Sequence, residues 1–430
     1  MTELPKIAPR LIHERLDNGL RVVLLPDPSS ALVAINLWYH VGSRNDPKSR
    51  TGVAHLFEHM LFQGSLHVEA NKHFQHIQSV GGSTNASTSF DRTNYYETLP
   101  AHCLELGLWL ESDRLGFFLP ALDREKFEGQ RSVVVNERLQ RVENQPYGRA
   151  FETIHAALYG EDHPYGWPII GHLTDIEQIE LPDVADFFTA HYHPANVVVT
   201  IVGGLDPTQA LDLVSRYFGE LPGADSTPGS LTGQASVTGT RCDLLQEDAV
   251  ALSRIYMAWT GPPFRDDERR CGELLALAMA GAKSSPLYQD LVQQGQLAQD
   301  VTAFLLPMEL GSTFLLIATA KPDVDVRRLE ERMTEHIEAA ALRPLRRQDL
   351  ERARRQVVTG VFEQLQSTES IADLLSQCTT FLDDPGAIDS ETASFLAKDL
   401  EDMMEFAHTN LSADRCVRLR VVPTGETEPE

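Results

Sequence analysis

The segment His55-Leu56-Phe57-Glu58-His59 restricts this chain more than any other part of it. It lies within Gly52-Val53-Ala54-His55-Leu56-Phe57-Glu58-His59-Met60-Leu61-Phe62, an apolar stretch without proline and with glycine only at its start. That composition predicts a buried helix. Residues at i and i+4 share a helix face, so the imidazoles of His55 and His59 project over one point, with the Glu58 carboxylate beside them. Two imidazoles and one carboxylate so placed suit a zinc hydrolase, in which the rings ligate the metal and the carboxylate activates water. The order H-x-x-E-H inverts the commoner H-E-x-x-H arrangement, which does not occur in the chain. The alternative is a pair of core histidines packed against Glu58. It leaves three ionisable groups on a buried turn in need of partners, a cost that a bound metal removes.

A catalytic zinc takes a third protein ligand and keeps a position open for water. Glu137, in Val133-Val134-Val135-Asn136-Glu137-Arg138-Leu139, is the best candidate. It falls on a predicted helix and is expected to share an inward face with Val133 and Val134. A salt bridge to Arg131, Arg138 or Arg141 would also satisfy a carboxylate there, and the residues alone leave both choices open.

At 430 residues the chain exceeds one core of ordinary size and suggests two domains. Strand-like segments at 20–26 and 31–39 precede the motif helix, and a Thr- and aromatic-rich stretch at 81–99 reads as paired strands. Helical patterns occupy about 101–115, 123–143, 147–159 and 207–218, with a Val-rich strand at 196–204. Leu221-Pro222-Gly223-Ala224-Asp225-Ser226-Thr227-Pro228-Gly229-Ser230 has no periodicity and reads as a linker. A similar programme then restarts: strand 253–259, helices 268–279 and 287–293, strand 313–320, long helices near 325–341 and 346–378, and strand 416–422. The expected organisation is an α+β duplication. A zinc-binding catalytic domain spans 1–221, a linker 222–240, and a second domain without a metal triplet 241–430.

Net charge is −25, from 37 basic and 62 acidic residues, which repels nucleic acid and anionic membranes; neither is expected as a partner. There is no run of about 18 apolar residues. The N-terminus lacks the basic and apolar regions of a secretory signal, so a cytoplasmic location is expected and a periplasmic one is left open. Five scattered cysteines without a C-x-x-C pair fit reduced thiols.

The ordered motifs resemble the pitrilysin family of zinc peptidases, whose relatives include insulin-degrading enzyme and the mitochondrial processing peptidase. They comprise the inverted pentapeptide, Gly64-Ser65, Gly81-Gly82-x-x-Asn85-Ala86-x-Thr88, Tyr95-Tyr96-Glu97, and Glu137 in its V-V-x-x-E helix. His163-Pro164-Tyr165-Gly166 leading to Gly171, and Tyr192-x-Pro194-x-Asn196, continue the match nearly end to end. The resemblance implies two homologous domains, each a mostly antiparallel sheet packed with helices, that form half of a clamshell chamber. It implies one zinc per chain on His55, His59 and Glu137, with Glu58 as general base. It also implies an edge strand at Asn85-Ala86 that holds extended peptide by β-augmentation.

Two departures from the family pattern matter. A second glutamate usually stands seven residues before the ligand glutamate, and here that residue is Gln130. Complete relatives also carry an Arg and a Tyr in the second domain that hold the substrate carbonyl. The matching residues here are Pro286 and Gln299. The resemblance therefore points to a zinc-dependent endopeptidase subunit acting on unfolded peptides. Its partner would be a homologous subunit that supplies Arg and Tyr in a heterodimer, with a homodimer as the fallback. The competing reading is a non-catalytic scaffold or assembly subunit of the same fold.

Overall fold

The computed structural model describes residues 6–223 and 241–425, so nearly all of the segment read as a linker, from 224 to 240, lies outside the described residues. Among the described residues, eleven strands form two sheets. The first contains β1 (Ile12–Arg15), β2 (Arg21–Pro26), β3 (Leu32–Tyr39), β4 (Ser83–Thr88), β5 (Thr93–Pro100) and β6 (Val197–Gly203), in the order β1-β2-β6-β3-β5-β4. The second contains β7 (Cys242–Asp248), β8 (Arg254–Gly261), β9 (Ala298–Met308), β10 (Gly311–Ala320) and β11 (Val417–Pro423), in the order β7-β11-β8-β10-β9.

The pairing of the second sheet repeats that of the first, strand for strand. β2 runs parallel to β6 as β7 does to β11, and every later pair in each order is antiparallel. Only β1 has no counterpart. The α+β duplication expected from the sequence is therefore present, and β4 and β9 occupy equivalent free edges.

Both faces of each sheet are covered, which explains why the inner strands read as continuous apolar runs rather than alternating ones. Every residue of β6 is buried. One face of the first sheet packs the motif helix in a core that includes Leu37, Phe57, Tyr95, Phe118 and Val199. The other face is covered by the helix Thr368–Leu382, which lies against β3, β5 and β6. Its Asp373 accepts from Trp38 Nε1 at 2.9 Å, Ser376 Oγ donates to Thr200 Oγ1 at 2.8 Å, and Phe381 meets the Trp38 ring edge-on. Reciprocally, the helix Ala150–Tyr159, which falls between β5 and β6 in sequence, packs on β8 and β11. Its Tyr159 hydroxyl donates to the Ser312 carbonyl at 3.1 Å.

Each compact unit is accordingly discontinuous. Of the described residues, 6–138, 168–223 and 362–391 form one unit; 139–167, 241–361 and 392–425 form the other.

Three helices differ from their sequence expectation. The span 346–378 is two helices, Arg347–Gln364 and Thr368–Leu382, because Ser367 turns extended and caps the second by accepting from the Ser370 N–H. The span 123–143 is α-helical from Arg124 to Arg138 and continues as a π-turn, Leu139–Glu143. The helix at 287–293 is a π-helix, Tyr288–Gln294. No helix among the described residues is long and apolar enough to cross a membrane.

Candidate metal centre

The motif helix runs Val53–Met60 and buries Val53, Ala54, Leu56, Phe57 and Met60. Its start is built from elsewhere in the chain. Gly52 adopts φ +95°, and a side chain there would meet the Ile170 carbonyl at 2.6 Å. With no side chain at the N-cap, the fully buried Asp46 takes over: its carboxylate accepts the Gly52 N–H at 2.7 Å and the Ala54 N–H at 2.8 Å. Burial pushes the Asp46 carboxyl up to about 8, against the pull of those two N–H groups.

His55 and His59 face Glu137, which lies on the helix Arg124–Arg138. His59 Nε2 is 3.3 Å from Glu137 Oε2, and His55 Nε2 is 4.0 Å from Glu137 Oε1. One ligand atom from each of the three residues lies within 4.8 Å of the others. Donors that each stand about 2.1 Å from one tetrahedral metal are about 3.4 Å apart, so the spacing fits a zinc ion. The donor set, two imidazoles and a carboxylate, is of the type catalytic zinc uses.

Two of the arginines weighed as partners for Glu137 donate to backbone carbonyls. Arg131 donates to Ile179 at 2.8 Å and Arg138 to Gly171 at 2.7 Å. The second bond has a structural use. Gly171, at φ +85°, abuts Thr51 and Gly52, so Arg138 ties the helix bearing Glu137 to the start of the helix bearing the histidines. Val134 is fully buried as expected, whereas Val133 is 46% exposed. The buried stripe of that helix is Phe127, Val134 and Arg138, and Val133 lies one residue off it. Gln130 is half-buried on the same helix.

Glu58 does not point into the three-residue cluster; its Oε2 accepts from Thr88 Oγ1 at 2.6 Å. Burial raises the Glu58 carboxyl above its usual range, with the Thr88 hydroxyl, His59 and Arg92 pulling it back. Thr88 is the last residue of β4, so the edge strand and the glutamate are joined directly. Asn85 and Ala86 lie on that same strand, which among the described residues pairs only with β5. Pro286 is half-buried just before the π-helix Tyr288–Gln294, and Gln299 is exposed on the free edge strand β9.

A second cluster of His73, Glu97 and Glu111, all fully buried, also has metal-ligand spacing. It has an internal counter-charge in Arg114. Arg114 holds Glu111 through both guanidinium and carboxylate edges, with Nε to Oε2 at 2.8 Å. Burial, then Arg114, lowers His73 to about 3, and burial raises Glu97 to about 7. His73 is held neutral and Glu111 is paired with Arg114, which leaves Glu97 as the one group of the three whose charge changes near neutral pH. Arg114 also lies 4.3 Å from the centre of the Tyr95 ring, whose hydroxyl approaches the Glu58 carbonyl at 3.5 Å. The cluster therefore supports the motif helix from beneath.

Of the residues singled out from sequence, the structure brings His55, His59 and Glu137 together and places Glu58 on the same helix, against Thr88. Sequence reasoning missed Asp46 and the role of Arg138. Thr88 stood in the quoted pattern without a role, and its spacing from Ala86 on an alternating strand was the available signal.

Comparison with known proteins gives the same direction. Residues 21–171 match the family model described as Insulinase (Peptidase family M16), and 178–357 match Peptidase M16 inactive domain. The chain belongs to the pitrilysin family, M16. It is 27% identical over 396 residues to the zinc protease PqqE of Helicobacter pylori, covering 91% of this chain and 88% of that protein. It is 30% identical over 301 residues to an uncharacterized zinc protease of Mycobacterium bovis, covering 70% and 67% respectively. In fold it is similar to the crystal structure of a protease from Helicobacter pylori, with a TM-score of 0.89, 24% identity, and 96% and 99% of the two chains covered. The M16 model labelled inactive falls on the half in which, among the described residues, no cluster has metal-ligand spacing.

Proposed function

We propose that this M16 chain is the zinc-bearing subunit of a metalloendopeptidase that cleaves unfolded peptides. The observation that carries the reading is the convergence of His55, His59 and Glu137 on one point, with Glu58 on the same helix turn. A zinc ion held there would supply Lewis-acid chemistry and lower the pKa of bound water toward about 7. Glu58 is the base of the site: its carboxylate takes the proton from the attacking water and later returns it to the departing amine. Thr88 holds that carboxylate in place through one oxygen and leaves the other for the proton. Arg138 and Asp46 fix the two helices so that the three ligands keep their spacing.

The peptide lies extended along the free edge of β4, at Asn85 and Ala86, where backbone pairing is indifferent to sequence. Pro286 and Gln299 bring neither a cation nor a phenol, so the oxyanion is stabilised by Arg and Tyr of a homologous partner subunit. Zinc content by atomic emission tests the site: about one zinc per chain is expected, falling to a small fraction in His55→Ala and His59→Ala. Stoichiometric zinc in either variant would remove the assignment.

A further inference from the structure

The corner between the helices Val326–Leu342 and Arg347–Gln364 breaks the charge pattern of the chain. Residues 343–356 hold six arginines against two acidic residues, in a chain whose net charge is −25. Half of those arginines are spent inside the corner. Fully buried Asp349 accepts from Arg346 Nε at 2.7 Å and from Arg352 Nη1 at 2.7 Å, and Glu351 accepts from Arg354 Nη1 at 2.9 Å. Arg343, Arg347 and Arg355 are exposed, and none of them has a hydrogen bond or ion pair among the described residues. Leu342, beside Arg343, is 78% exposed, more than any other large apolar side chain among the described residues.

The fold does not require this arrangement. The first unit has the same corner, between the helices Leu104–Phe117 and Arg124–Arg138, which follow β5 as the pair here follows β10. The cations there, Arg124 and Lys126, are matched: Arg124 stands 3.5 Å from Glu128 and Lys126 3.6 Å from Asp123. Arg347, by contrast, opens its helix, where the helix dipole disfavours a cation. The corner is also held in place. Arg352 Nη2 donates to the Ala278 carbonyl at 2.6 Å and Gln356 Nε2 to the Gly281 carbonyl at 2.6 Å, which fixes the second helix to the end of the helix Arg269–Ala280. Three unmatched cations and a bare leucine therefore stand on a backbone ordered ahead of any partner.

We infer that this corner docks an acidic segment of a protein partner that carries a large apolar side chain. Its carboxylates meet Arg343, Arg347 and Arg355, and its apolar side chain covers Leu342. Charge decides the class of partner. A nucleic-acid duplex or an anionic membrane extends well beyond the corner and meets the field of the whole chain, which is strongly negative. A short segment meets only the charges within about 8 Å at physiological ionic strength, and at this corner those are basic. Arginine suits the task, because its guanidinium takes a carboxylate through two parallel bonds and gives up its water readily. Leu342 adds a contact that salt does not screen, so a purely polar acidic segment gains less. The surface lies in the unit without a metal cluster, so it stands apart from the peptidase reading.

The probe is a fluorescent polyglutamate peptide with two central leucines, titrated by anisotropy against the full chain at low ionic strength. Two control peptides carry glutamine for glutamate or serine for leucine. The probe should bind about tenfold tighter than the glutamine peptide, as three partly screened ion pairs allow. It should bind about threefold tighter than the serine peptide, as partial cover of one leucine allows. The chain carrying Arg343→Glu, Arg347→Glu and Arg355→Glu should lose the first ratio, and Leu342→Ser the second, with melting temperatures unchanged. Glutamine at the same three positions should also bring the first ratio to one, which covers a charge reversal that disturbs folding. Arg124→Glu, at the matched corner of the first unit, should alter neither ratio. A first ratio near one in the parent, or one that the triple variants leave unchanged, overturns the site. Full affinity without Leu342 or without the leucines of the probe marks an unspecific basic surface and overturns it as well. Tighter binding of phosphatidylserine vesicles or duplex DNA through the same arginines would overturn the protein partner in favour of that class.

Discussion

The Ala86 N–H on β4 donates to the Asn85 side-chain oxygen at 2.9 Å. A donor turned to its neighbour's carboxamide is not part of the β4–β5 ladder, so it faces the open edge. Asn85 thus keeps an otherwise bare edge donor occupied until an extended chain arrives, one way in which an exposed edge avoids self-pairing. The same geometry makes proline at this position compatible with the sheet. Ala86→Pro should leave thermal stability within about 1 kcal/mol of the parent and weaken extended-peptide binding about tenfold or more. Anisotropy titration beside a melting curve checks both, and unchanged peptide affinity would move the binding edge elsewhere.

Glu58→Gln should retain zinc and fold while peptide hydrolysis falls at least a thousandfold, to about background. Glutamine keeps the Thr88 hydrogen bond but accepts no proton. Loss of the metal in this variant would make Glu58 a ligand, and undiminished turnover would remove it from the chemistry.

Mixing the chain with a homologous subunit that has Arg and Tyr in its second domain should raise peptidase activity by about 10²–10³-fold, the usual worth of an oxyanion donor. Zinc per copy of this chain should stay constant. Full activity of the chain alone, unaffected by such a subunit, would overturn the heterodimer.

The buried cluster gives a pH prediction. Glu97 has a folded pKa raised from 4.5 to about 7 by burial. A carboxyl with a raised folded pKa binds its proton more tightly in the folded state. Its contribution is whole below about pH 4.5 and is lost as pH rises through 7. The loss between pH 5 and 8 is on the order of 3 kcal/mol. Glu97→Gln, neutral at every pH, should lack it. Urea unfolding of metal-depleted protein at pH 5 and 8 compares the two, and identical losses would show that Glu97 titrates normally.

Much of the centre was legible because helix geometry acts over a few residues: His55, Glu58 and His59 lie within two turns, and their apolar neighbours fix which face is buried. Glu137 was visible as a carboxylate on a helix, but its place beside His55 and His59 depends on how two helices distant in sequence pack together. Asp46 was not visible at all. Cap signals normally sit next to a helix, and Asp46 reaches the Gly52 N–H from six residues away through an extended turn. The duplication showed in the repeated order of strands, since each buries an apolar run. The edge strands β7 and β9 escaped notice because a strand paired on one side mixes exposed and buried residues without a long apolar stretch. The break at Ser367 was lost because helical patterns stand on both sides of it.

The exchanged helices set an order of events during synthesis. When β6 leaves the ribosome all strands of the first sheet exist, yet one of its faces remains bare. Its cover, Thr368–Leu382, is made only after β7 to β10. Trp38 and the apolar side chains of β6 are meanwhile open to neighbouring nascent chains. A fragment ending before the second sheet would keep His55, His59 and Glu137 and still carry that uncovered face, so the first half of the chain depends on a helix made late in the second half for solubility before any question of catalysis arises.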